Sequence, residues 1–201
     1  MELDVLYMHI LDNVEDIDAV LGILSFLLFS NRSLGPCWDL LEIEEFLFLQ
    51  PGGVELYLGD LNSLVNVGLN QEVYILHASL TDFLVDHTRS KKFWINPPAR
   101  HTAIARRCLQ FLQPNNTRDR PHLYLAWMCY YDTIFHCKNA EITPELCDDL
   151  INFSFDNLQD VFRGTLGGSH LFTFIPRFLS GLKELVRYCS PHTAFSYLYN
   201  L

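Results

Sequence analysis

Leu3, Leu6, Tyr7, Ile10, Leu11 and Val14 recur at three- and four-residue intervals, which predicts an opening helix with one apolar face. Glu15 and Asp16 then stand where a second helix would present its positive end, and Ile17, Val20, Leu21, Leu24, Leu27 and Leu28 supply its inward stripe. Asn31 to Pro36 reads as a loop. Asp39 followed three residues later by Glu42 has the form of a capping box, so a third helix is expected to open there and run to about Leu49. Pro51-Gly52-Gly53 breaks it, and Val54, Tyr57, Leu58, Leu61, Leu64 and Val65 resume helical spacing.

The period then changes. Leu64-Val65-Asn66-Val67 and Glu72-Val73-Tyr74-Ile75-Leu76 concentrate β-branched and aromatic residues around a polar turn, Gly68 to Gln71, which predicts a small β-hairpin. Short helices followed by a two-stranded wing is the winged-helix order. Beyond Phe93-Trp94-Ile95 the pattern is helical again. Pro97 and Pro98 fit a helix start, with Ile104, Cys108, Phe111 and Leu112 as its stripe. Pro114 to Arg120 is a polar loop, and Leu123, Trp127, Tyr130, Tyr131 and Ile134 mark the next helix. Thr143-Pro144 reads as an N-cap with proline in the first helical position. Phe155, Leu158, Val161 and Phe162 continue the stripe to Gly164; a long helix is expected at about 170–188, and Ser190-Pro191 starts another. The fold class expected is mainly α: a linking helix (1–16), a winged-helix domain with a small β-hairpin (17–92), and a helical bundle or helical-repeat-like domain (93–201).

Composition narrows the function classes. Hydrophobic residues make up 49% of the 201 positions and charged residues 19%, too apolar a mixture for a disordered chain and one that implies surface covered by another protein. The formal net charge is −10, and the longest basic cluster is Arg89-Ser90-Lys91-Lys92. A nucleic-acid binder needs a basic footprint to displace counterions, so that class is disfavoured. The oiliest run, Leu21 to Phe29, is shorter than the ~20 residues that span a bilayer, and the acidic start is unlike a secretory signal. A cytoplasmic protein with its six cysteines reduced is therefore expected, and the Asn115-Asn116-Thr117 sequon carries no weight.

Chemistry is sparse. The eight histidines are scattered; His136-Cys137 near Cys129 is the one place where a zinc site is conceivable, and a buried helical cluster is the competing reading. Glu42, Glu44 and Glu45 read as a solvated face. Tyr124, Trp127, Tyr130 and Tyr131 fit a ligand platform or plain packing at helical spacing. Gly164-Thr165-Leu166-Gly167-Gly168-Ser169 has no lysine and follows no strand, so it is a loop and not a phosphate cradle. No nucleophile elbow, Walker A loop or Walker B strand is present.

The segment with most information is Ile75-Leu76-His77-Ala78-Ser79-Leu80-Thr81-Asp82-Phe83-Leu84, where a strand gives way to a helix. A histidine fixed at such a junction can donate to a phosphate beside a positive helix end. It can equally satisfy local backbone groups, and the residues alone leave both readings open.

An ordered set of short patterns adds to this: Leu3-Asp4-x-Leu6-Tyr7-x-x-Ile10-Leu11, Val20-Leu21-Gly22-Ile23-Leu24, Leu61-Asn62-Ser63-Leu64-Val65, then His77-Ala78-Ser79-x-x-Asp82-Phe83-Leu84 and Arg89-Ser90. Over about the first 113 residues this set resembles the region that follows the P-loop domain in fungal NACHT proteins, members of the STAND class of signalling NTPases. The resemblance implies a winged-helix domain that packs on a nucleotide-binding domain and holds it closed with ADP, with His77 contacting the β-phosphate. Relatives with a Met-His-Asp signature place an acid after the histidine; Ala78 stands here, and Ser79 is expected to cap the helix instead, with Asp82 as a reciprocal cap or part of an exposed face. The expected function is thus a non-catalytic regulatory module, truncated or encoded without its ATPase core. It has no cofactor of its own and meets ADP or ATP only together with a P-loop domain in cis or in trans. A stand-alone helical adaptor that meets other proteins through apolar surface is the alternative, and a winged-helix nucleic-acid binder a more remote one.

Overall fold

A computed structural model describes residues 2–30, 38–113, 123–154 and 171–189. The expected loops at Asn31–Pro36 and Pro114–Arg120, the stripe from Phe155 to Phe162, the glycine-rich loop 164–169 and the helix start at Ser190-Pro191 lie outside these residues. Two compact units divide the chain, 1–100 and 101–201.

The first unit is mainly helical around a small antiparallel sheet. Helix α2 (Ile17–Phe29) follows its predicted stripe, whereas α1 (Glu2–Asp12) buries Tyr7 and Leu11 of its stripe and leaves Leu3 and Leu6 exposed. Asp16 caps α2 by accepting from the Ala19 amide at 3.0 Å. A two-residue strand, β1 (Trp38–Asp39), precedes α3 (Leu40–Leu47). The capping box is complete: Asp39 accepts from the Glu42 amide at 2.7 Å, and the Glu42 carboxylate accepts from the Asp39 amide at 3.2 Å. The chain leaves α3 through Phe48 in the left-handed region (φ 56°), three residues before Pro51. Helix α4 (Gly53–Leu58) and a 3₁₀ turn (Gly59–Leu61) then lead to β2 (Val65–Val67) and β3 (Glu72–Ile75).

The sheet differs from expectation by one strand. β3 lies in the centre, paired with β2 as the predicted hairpin (Val65 opposite Ile75, Val67 opposite Val73) and with β1 on its other edge (Trp38 opposite Val73). The core gathers Phe26 against Phe46 and Trp38, with ring centroids 4.7 and 5.1 Å apart, and the buried Trp38 indole donates to Ser30 Oγ at 2.6 Å. Beyond β3 come α5 (Ala78–Val85) and the single turn α6 (His87–Ser90), separated at Asp86, whose carboxylate accepts from the Thr88 and Arg89 amides.

The acidic cluster on α3 is a correction. Glu42 and Glu44 are 8% and 5% exposed, so they do not form a solvated face. Glu42 closes its own capping box, and Glu44 accepts from the Val54 amide at 3.2 Å. That amide lies in the first turn of α4, whose N-cap, Gly52, has no side chain to offer. The carboxylate of one helix thus completes the start of the next.

Helix α7 (Pro97–Phe111) carries the chain into the second unit, where α8 (Leu123–Asn139), α9 (Pro144–Ile151) and α10 (Leu171–Cys189) follow. Thr143 caps α9 with Pro144 at its first position, as expected. Arg106 of α7 donates to Asp149 of α9 at 2.6 Å, and Thr102 donates to the Glu141 carbonyl at 2.7 Å. Leu125, Met128, Cys129, Leu146, Leu150, Phe178, Leu182 and Leu185 fill the interior. Among the described residues no helix is long and apolar enough to cross a membrane, and the five of the six cysteines that are described are free thiols. Burial, first among the causes, pushes Cys137 and Cys189 up to about 12, which removes thiolate reactivity near neutral pH.

Candidate functional site at the strand–helix junction

His77 is the N-cap residue of α5, in extended backbone (φ −124°, ψ 115°) directly after β3. Its position is fixed from both sides. The Leu76 amide donates to the Leu64 carbonyl at 2.8 Å, and the Leu80 amide to the His77 carbonyl at 3.0 Å. The imidazole is exposed and makes no hydrogen bond to any described residue, and no side chain caps α5. Two groups that attract an anion therefore stand together in solvent: the ring and the first amides of the helix.

The caps expected of Ser79 and Asp82 do not form. Ser79 occupies the second helical position, past the point from which a side chain can reach back to the first amides, and its hydroxyl bonds the Tyr7 hydroxyl at 2.7 Å. Asp82 is exposed and points its charge toward Arg89. The Arg89 guanidinium is held above its ordinary range first by its hydrogen bond to Asp4, with Asp4, Asp86 and Asp82 adding charge.

Helix α1 is held against this junction. Besides the Tyr7–Ser79 bond, the buried Tyr7 ring lies 5.4 Å from Phe83 of α5, Arg89 donates to both Asp4 carboxylate oxygens, and Lys92 pairs with Asp12. Tyr7 and Leu11 are each 1% exposed, so the segment expected as a linker contributes to the core of the first unit. Asp4, Tyr7, Ser79 and Arg89 all occur in the ordered pattern of the sequence, which gave no sign that they touch. Their sequence separations of 72 and 85 residues explain why: no periodicity reports a contact at that range. Around the rest of α1, Leu3, Val5 and Leu6 are left 52, 67 and 48% exposed.

In the second unit, the conceivable zinc site is not assembled: among the described residues no group of three His, Cys, Asp or Glu side chains is placed to hold a metal. His136 is instead fully buried and shares a 2.8 Å hydrogen bond, Nδ1 to Nδ1, with His101. Two rings joined this way cannot both be protonated. Burial and the neighbouring His101 push His136 down to about 3, and burial lowers His101. Of the proposed aromatic platform, Tyr130 is buried and stacks on Phe178 at 4.8 Å, while Tyr131 is 39% exposed; the side chains of Tyr124 and Trp127 lie outside the described residues.

No family model matches this chain, and no curated protein and no solved structure matches it significantly.

Proposed function

We propose that this chain is a non-catalytic regulatory module of a NACHT-type STAND NTPase, in which a winged-helix domain couples the nucleotide state of a P-loop domain to conformation. The observation that carries the reading is His77, exposed and unbonded at an uncapped helix start, in a backbone held on both sides. A neutral or protonated imidazole there can donate to the β-phosphate of ADP while the helix end favours its charge. The bound diphosphate would come from the P-loop domain, since the sequence has no Walker motif. The small sheet next to short helices fits the winged-helix order. The exposed Leu3, Val5 and Leu6 of α1, a helix joined to α5 through Tyr7 and Ser79, would give the P-loop domain apolar surface to meet. The module would act in the cytoplasm by rigid-body movement, holding the P-loop domain closed while ADP is present.

The test is ADP retention by a NACHT-type P-loop domain in complex with this chain. His77→Ala is expected to speed ADP release while leaving the complex assembled; an unchanged release rate rejects the role. The exposed Leu3, Val5 and Leu6 also suit a stand-alone helical adaptor. The same complex separates the two readings, because an adaptor would bind equally well with and without ADP.

A further inference from the structure

The second unit holds a cleft of about 590 Å³ along the seam between α8 and α10. That volume lies within the roughly 300–1,000 Å³ typical of small-molecule sites. Its floor is the Tyr130–Phe178 stack, with ring planes 27° apart, and its α8 wall presents Tyr131 and Phe135, 39% and 46% exposed. Lys138 and Arg177 are its charged lining residues, and among the described residues no acid lines it. In a chain of net charge −10 this is a local reversal of sign, and neither cation is in an ion pair among the described residues. Arg177 is close enough to oppose the rise that burial imposes on both tyrosine hydroxyls.

The geometry points to a binding site for a small planar aromatic anion, its rings against Tyr131 and Phe135 and its acidic group at one of the two cations, Lys138 or Arg177. Aromatic faces gain from stacking in offset or edge arrangements, and a carboxylate, sulfonate or phosphate gains charge-assisted hydrogen bonds from a cation beside it. Size selects the occupant. From residue 130 to 138 the wall runs eight residues, about 12 Å at helical rise, which suits two or three rings and is too short for a helix docked over several turns. The cleft belongs to the second unit, and the proposal uses no residue of the His77 junction.

Titration of the full 201-residue chain with 8-anilinonaphthalene-1-sulfonate, an aromatic sulfonate that fluoresces in apolar surroundings, tests this against its uncharged relative N-phenyl-1-naphthylamine. Saturable one-site binding of the sulfonate is expected. The Lys138→Gln/Arg177→Gln double variant should weaken the sulfonate by about tenfold or more and leave the neutral compound almost unchanged. Phe135→Ala should weaken both, with the thermal unfolding curve preserved. Absence of saturable binding overturns the site, as do equal sulfonate affinities in wild type and double variant. Parallel loss of both compounds in the double variant also overturns it, because that result reports a loosened fold.

Discussion

Arg89 grips Asp4 with two guanidinium nitrogens, Nε at 3.1 Å and Nη2 at 2.6 Å, across 85 residues of sequence. The fork geometry is specific to arginine, so Arg89→Lys keeps the charge and loses one of the two bonds. Hydrogen exchange should then quicken across residues 2–12 and stay unchanged in α2. The Asp4 carboxyl is held below its ordinary value of 3.8, chiefly by the hydrogen bond from Arg89. A lowered acid stabilises the fold above its unfolded value, so the attachment of α1 should be complete above about pH 4 and fade as pH falls through the folded value. Exchange rates in α1 that ignore the substitution would refute the clamp.

Glu44 gives a sharper stability test. Glu44→Ala leaves the Val54 amide buried without an acceptor and is expected to destabilise by about 1–3 kcal/mol. Glu44→Gln retains an acceptor oxygen and should lose less. Urea unfolding of the three proteins gives the order, and a Gln variant as weak as the Ala variant contradicts the cap.

The His101–His136 pair makes the second unit sensitive to acid. Both rings have folded values below the ordinary 6.5, and that of His136 is about 3. The unfolded chain therefore binds more protons, and stability is present above about pH 6.5 and declines as pH falls toward 3. The slope for one such ring approaches about 1.4 kcal/mol per pH unit. His136→Gln should flatten the unfolding free energy between pH 6 and 4, measured by denaturant titration at each pH; a slope equal to wild type removes His136 as the cause.

Gly181 meets Ile134 where α8 and α10 approach closely. A Cβ at position 181 would lie 2.9 Å from Ile134 Cδ1. Overpacking of this kind costs about 1–3 kcal/mol, and replacing a helical glycine by alanine returns about 1 kcal/mol. Gly181→Ala should thus be neutral to destabilising alone. It should become stabilising with Ile134→Val, which removes Cδ1. Additive effects in the double-mutant cycle would show that the two positions do not touch.

What the sequence discloses depends on the range of each interaction. The Asp39–Glu42 capping box and the Thr143-Pro144 helix start span three residues or fewer, so residue type and spacing suffice to place them. The hairpin is legible because Val65–Val67 and Glu72–Ile75 change the hydrophobic period. β1 is not legible, since two residues carry no period and Asp39 already reads as a cap. Glu44 reads as part of a solvated face until Val54 is brought to it by the turn at Pro51-Gly52. At the candidate site, the strand–helix junction at His77 is visible in the sequence. The destinations of Ser79 and Arg89 are not, because Tyr7 and Asp4 belong to the far end of the unit.

The attachment of α1 also sets an order of events during synthesis. Tyr7 and Leu11 leave the ribosome first, but Ser79, Phe83 and Arg89 follow only 72 to 85 residues later. At about 5–20 residues per second that interval is on the order of four to seventeen seconds. Throughout it the inner side of α1, with Tyr7 and Leu11, awaits α5. The contacts that seat the first helix of the unit are therefore among the last that synthesis makes available.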